Sequence, residues 1–213
     1  MNSPAFLYNR FMDSLSDIED IEMEDYHVRR EFSGLEFSES GPRLRNYSFE
    51  DCLFKSCRFD SADITGASFS RCRFVGCTFM VTELADVSLS SVSFEDCKLA
   101  ALNFTDCNRF GFSPSFKSCF FDNVAFSRNE LKKTPFTGSR FRNVDFNDCN
   151  LTQADFRSCR FENALFHQCN LSESDFRAAE DYRISPADNT LTNALFNLPE
   201  AVSFLGFLGI RVE

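Results

Sequence analysis

Along most of this chain one position in five is large and apolar. The first run starts at Phe49 and passes through Phe54, Phe59, Ile64, Phe69, Phe74, Phe79, Leu84, Leu89, Phe94 and Leu99 to Phe104. A second runs from Phe116 through Phe121, Phe126, Leu131, Phe136, Phe141, Phe146, Leu151, Phe156, Phe161, Phe166 and Leu171 to Phe176. None of these 25 positions is polar in a chain that is 43% apolar. Chance gives that at odds on the order of one in a billion, so the period belongs to the fold. Two places before each, most repeats carry a small or medium residue, as at Cys52, Ala62, Ala67, Val87, Val144 and Ala154. A period of five matches neither the helix at 3.6 nor the strand at 2.0, which excludes a helical bundle and a flat sheet. The chain has to turn a corner at every repeat.

The period slips twice. From Phe104 to Phe116 is 12 positions where two repeats use 10, so Asn108 to Ser115, with Gly111 and Pro114, is expected to form a bulge or small loop. The same slip of two falls between Phe37 and Phe49, around Gly41 and Pro42. After Phe176 the phase positions hold Asp181 and Pro186, yet Leu191 and Phe196 return on schedule, so that coil is expected to persist with one irregular side.

Units such as Ala-Asp-Phe-Arg-Ser (154 to 158), Cys-Asn-Leu-Thr-Gln (149 to 153) and Ser-Asp-Phe-Arg-Ala (174 to 178) resemble the repeat of the pentapeptide repeat family. The resemblance covers about 32 to 196. It implies an all-β fold, a right-handed quadrilateral β-helix in which four repeats, 20 residues, make one coil and the small and large residues of each repeat face inward. Leu131, Leu151, Leu171 and Leu191 recur at intervals of 20 within a tract otherwise filled by Phe, which supports four sides from the residues alone. Roughly eight coils at about 4.8 Å each predict a rod about 40 Å long. The expected organisation is an acidic N-terminal cap or arm over 1–31, a solenoid over 32–196 with a break near 105–115, and a C-terminal helix and dimerisation segment over 197–213.

Composition agrees with a repeat: 28 Phe against no Trp, with only 8 Gly and 6 Pro. All ten cysteines fall on the small-residue phase, counting Cys107 as a continuation of the first run. Free cysteine packs as a small buried hydrophobe, and spacing such as Cys52 to Cys57, with only His27 and His167 to assist, is not that of a zinc site. No nucleophile, base, metal or phosphate-loop constellation stands out, so neither enzyme activity nor a cofactor is expected. The chain has no run of the roughly 18 apolar residues a spanning helix needs, and MNSPAFLYNR is unlike an export signal. A soluble, cytoplasmic protein with reduced thiols is expected.

The net charge is −10, and residues 1–31, with eight acids against three bases, supply half of it. Such a balance argues against binding nucleic acid directly or an anionic membrane, and favours a basic partner. Between Asp13 and Asp25 there are seven acids and no base, with Phe11, Leu15, Ile18 and Ile21 spaced to line one face of a helix. Folded at 20 residues per coil, Asp63, Glu83, Asp86 and Asp106 share a face with no basic residue among them, and Asp145 and Asp148 continue it past Arg128. Arg58, Lys98, Arg140, Arg142 and Arg160 gather on a neighbouring side, within reach of Asp122 and Glu162.

At the C-terminal end, Asn197 and Glu200 have the spacing of a capping box, with Pro199 in the first turn. Leu198, Val202, Leu205 and Leu208 make an apolar stripe before Gly209, and Ile210 begins a short final strand. Residues 198–210 are similar to the C-terminal module of the Qnr and albicidin-resistance branch of the pentapeptide repeat proteins. That resemblance implies a homodimer joined tail to tail through Leu198, Val202, Leu205, Leu208 and Ile210. It also implies a DNA-mimicking rod that binds DNA gyrase or topoisomerase IV and modulates or protects it from quinolones or gyrase poisons. A repeat scaffold for some other protein partner is the alternative.

Overall fold

The computed structural model describes residues 25–38, 43–207 and 209–211. The expected N-terminal helix, Leu208 and the last two residues lie outside them. Within them the chain winds as a right-handed four-sided β-solenoid, every strand pairing in parallel with a strand one coil away. Most strands are three residues long, one Phe or Leu inward between two outward residues, because the chain must bend before a fourth can join. The bend is left-handed backbone: Asp51, Ser56, Arg71, Asp86, Asn143, Asp148 and others have φ between 49° and 63°. Such values cost most residues about 1 kcal/mol or more and cost Asn, Asp and Gly least. Gly66 marks the tightest corner, at φ 69°, where a methyl group would collide with the Asn46 side chain.

One side carries Tyr26–Val28, Ser48–Glu50, Ser68–Ser70 and Ser88–Ser90, and the next Glu31–Ser33, Leu53–Lys55, Arg73–Val75, Ser93–Glu95 and Ser115–Lys117. A seven-stranded sheet spans the third and fourth sides, because Lys98–Asn103 and Phe120–Ser127 run around the corner without a break. Registration confirms both slips. Tyr26 pairs with Ser48 and Ser93 with Ser115, an offset of 22, whereas Ser48 pairs with Ser68 and Phe120 with Arg140, an offset of 20.

Inside, like residues stack on like. Phe54, Phe74, Phe94, Phe116, Phe136, Phe156, Phe176 and Phe196 form one ladder with ring centroids 4.7 to 5.2 Å apart. Rings on neighbouring sides meet edge to face, as Phe136 and Phe141 do at 5.6 Å. Stacking along the axis and edge contacts across it are the two arrangements that ring quadrupoles favour. The leucine stack is also present, with Leu131, Leu151 and Leu171 fully buried.

Three features were not legible in the period. The first described strand places His27, 2% exposed, in the inward position opposite Phe49, so the solenoid already includes Tyr26–Val28. The irregular side after Phe176 is filled by Tyr182 and Ile184, off the phase of the repeat, and its coil persists through bridges such as Asn170 to Thr190. The capping box does not form: Asn197 Oδ1 accepts the Ala178 N–H at 2.8 Å, and the chain enters a 3₁₀ turn, Glu200–Val202, before the helix Ser203–Phe207. Asn197 is spent tying the last rung to the previous coil.

Candidate protein-binding face

An outward residue on a parallel solenoid lies directly over its counterparts one coil away, so charges fall into columns about 4.8 Å per step. The six acids placed on one face by sequence occupy two adjacent columns of the fourth side and its corner. Asp63 pairs with Glu83, and the column runs on through Asn103, Ala125, Asp145 and Leu165. At the corner the Asp86 N–H donates to the Asp106 carbonyl and the Arg128 N–H to the Asn147 carbonyl, which sets Arg128 beneath Asp148. The face is therefore acidic but interrupted, by Asn103 and Ala125 in one column and Arg128 in the other.

Most carboxylates gathered on this face lack a counter-charge. Among the described residues, no Lys, Arg or His pairs with Glu83, Asp86, Asp106, Asp145 or Asp148, and all five are exposed. Glu83 accepts the Ala85 N–H at 3.3 Å and Asp106 the Asn103 amide at 2.8 Å, both neutral donors. Asp63 differs: Arg45 lies 3.3 Å away, and the Thr65 hydroxyl, then its N–H and Arg45, hold this carboxyl below the usual range. Part of the acidity has a local cause, since Asp86 and Asp148 occupy left-handed corners that favour Asp. That cause does not apply to Glu83 or Asp145, which sit in extended backbone.

Elsewhere most carboxylates are matched, although Asp25, Asp96, Glu130, Glu162, Glu173, Glu180 and Glu200 take part in no ion pair among the described residues. On the second side Lys55 meets Glu31, Lys117 meets Glu95, and Arg157 and Arg177 form hydrogen-bonded pairs with Asp155 and Asp175. On the third side, one column runs Glu36, Arg58, Thr78, Lys98, Phe120, Arg140, Arg160 and Glu180. Half of its basic charge is answered, Arg58 by Glu36 and Asp60 and Arg160 by Asp181, while Lys98 and Arg140 take part in no ion pair among the described residues; neighbouring Arg142 is met by Asp122. The guanidinium groups of Arg140 and Arg142 lie 6.0 and 5.1 Å from the centre of the Phe120 ring.

The C-terminal end presents a second surface. Phe204 covers the core, edge-on to Phe196 at 4.8 Å and beside Tyr182 at 6.0 Å. Leu198 is left 78% exposed, with Leu195, Phe207 and Ile210 about half exposed. Val202 and Leu205 are half-buried. Leu195, Phe204 and Phe207 were not among the residues singled out by sequence. Leu195 is the outward neighbour of an inward Ala194, and the helix rotates Phe204 to where a stripe built on Leu198 and Val202 would leave it aside.

No group of three or more His, Cys, Asp or Glu side chains among the described residues is placed to hold a metal ion. No helix there is long and apolar enough to cross a membrane.

The family profile of the pentapeptide repeat region matches residues 47–109 and 112–180, its gap falling at the 108–115 insertion. No curated protein matches the sequence. Solved structures of similar fold include a trypsin-treated form of QnrB1, a plasmid-mediated fluoroquinolone resistance protein, at 17% identity over 88% of this chain and 100% of that one, with a TM-score of 0.49. Full-length QnrB1 aligns at 16% identity over 87% of this chain and 100% of that one, TM-score 0.40. HetL, a pentapeptide repeat protein involved in heterocyst differentiation regulation from the cyanobacterium Nostoc sp. strain PCC 7120, aligns at 12% identity over 80% and 82%, TM-score 0.29.

Proposed function

The chain belongs to the pentapeptide repeat family, and from that membership we propose that it acts by binding: a rod that offers carboxylates to a type II topoisomerase, DNA gyrase or topoisomerase IV, where that enzyme grips the phosphates of a duplex. The observation that carries this reading is the set of carboxylates without counter-ions at Glu83, Asp86, Asp106, Asp145 and Asp148. From the Asp63 rung to the Asp145 rung is four coil spacings, roughly 19 Å. Six carboxylates over that length, Asp63 among them paired with Arg45 and one column interrupted by Arg128, approach the one phosphate per about 3.4 Å of a single DNA strand. Like charges stacked at this spacing repel; a protein surface shaped to hold a duplex relieves that repulsion and releases its own counter-ions, as DNA does.

The exposed Leu198, Phe207 and Ile210, together with the similarity of 198–210 to the C-terminal module of the Qnr and albicidin-resistance branch, support a tail-to-tail homodimer, which doubles the length of the acidic rod. Occupying the DNA site is the means by which the protein modulates the enzyme or relieves it of a quinolone or another poison.

The test is a supercoiling assay with purified DNA gyrase, with and without a fluoroquinolone. Wild type is compared with the variant Asp63→Asn, Glu83→Gln, Asp86→Asn, Asp106→Asn. The wild type should alter supercoiling or drug inhibition, the more so at low salt, and the variant should do neither. Equal behaviour of the two would remove the acidic face from the function.

A further inference from the structure

The insertion between the two runs carries the most exposed large hydrophobic residue described: Phe110, 91% accessible to solvent. It sits on a held turn. Its own N–H donates to Asn108 Oδ1 at 2.9 Å, and the Asn108 N–H donates to the carbonyl of Val87, the residue after Asp86. On the far side Phe112 is buried, edge-on to Phe104 at 6.5 Å. Ser113 Oγ donates to the Gly111 carbonyl at 3.0 Å and accepts the Ser91 N–H at 2.8 Å. Gly111, at φ 70°, makes the reversal between the two rings. The loop therefore buries one phenylalanine and aims the other outward, in contact with no other ring among the described residues. It does so on a side whose preceding coils present Ser68, Ser70, Ser88 and Ser90.

We propose that Phe110 is an anchor of the partner interface, inserting into an apolar pocket of the topoisomerase whose rim carries the lysines or arginines that meet Asp86 and Asp106. The inference rests on the topoisomerase reading and deepens it: a surface complementary only in charge would have no use for the ring. An aromatic side chain on a turn fixed from both ends loses little freedom on binding, which is what suits it to dominate an interface. The acidic corner beside it steers the approach, and the ring supplies the contact that salt does not screen.

The experiment measures binding of purified DNA gyrase to wild type, Phe110→Ala, Phe110→Leu and the pair Asp86→Asn, Asp106→Asn, each at low and at high salt, with thermal melts alongside. Phe110→Ala should melt as wild type does, since the ring is 91% exposed and outside the buried core. It should bind at least about tenfold more weakly at both salts, with Phe110→Leu between the two. The carboxylate pair should lose affinity mainly at low salt. Wild-type affinity in Phe110→Ala, or a loss that vanishes at high salt, overturns the anchor and leaves the topoisomerase reading in place. Absence of binding by wild type overturns that reading and the anchor with it.

Discussion

At the scale of single residues, the core has no redundancy. Phe146 is fully buried between Phe126 at 5.1 Å and Phe166 at 4.9 Å. Phe146→Ala leaves a hole that closed coils above and below cannot fill, and is expected to cost about 3–5 kcal/mol in a denaturant titration. The cysteines have a role that their phase did not reveal. The thiols of Cys77, Cys97 and Cys119 each donate to a phenylalanine carbonyl of the preceding coil at 3.4 Å, a place taken elsewhere by Thr82, Asn129 and Asn189. Burial pushes the Cys107 and Cys159 thiols up to about 12, so neither is a thiolate at neutral pH. A thiol reagent such as Ellman's should find the native protein nearly inert and all ten cysteines reactive once it is unfolded; rapid labelling of the native state would contradict the packing.

At the scale of the element, each rung is a three-residue strand with a bend, too small to be stable alone and held by its neighbours. The bends are where side chains reinforce the winding. Asp155 accepts the Arg157 N–H at 3.0 Å and its guanidinium, and Asp175 does the same with Arg177. Both carboxyls are held below their ordinary value, first by the arginine side chain and further by its N–H. A carboxyl depressed in the folded state stabilises above its unfolded pKa of about 3.9, and that contribution is lost as pH falls through the lower folded value. Melting temperature should therefore fall as pH drops below about 4, and fall less steeply in Asp155→Asn, Asp175→Asn. Parallel curves for the two proteins would show that these bends do not contribute.

At the scale of the molecule, the protein is a line of coils with two ends, and its solubility depends on how the ends are closed. Phe204 closes one by covering Phe196 and Tyr182. Deleting 197–213 removes that cover together with the proposed dimer contact, so light scattering should report a monomer or an aggregate. Leu198→Asp with Phe207→Asp separates the two effects, because both side chains are exposed and neither belongs to the buried core; a soluble monomer is expected. A dimer that survives either change would refute tail-to-tail assembly.

The fold was written in the chain because a solenoid core is built from contacts repeated every coil: the spacing of Phe and Leu sets the period, and the recurrence at 20 sets the number of sides. The acidic columns followed for the same reason, since in a regular winding the residue number alone says which side an outward side chain occupies. Where the chain leaves that lattice, its numbering no longer says which way a side chain faces. Tyr182 and Ile184 turned inward because the chain between Phe176 and Leu191 had a core to fill and no residue in phase. His27 was hidden by its residue type, and Asn197 by a hydrogen bond to the preceding coil that resembled a helix cap in one dimension. Which carboxylates remain without counter-ions, and which of two phenylalanines in one short loop faces water, depend on distances between coils, and only the wound chain holds those.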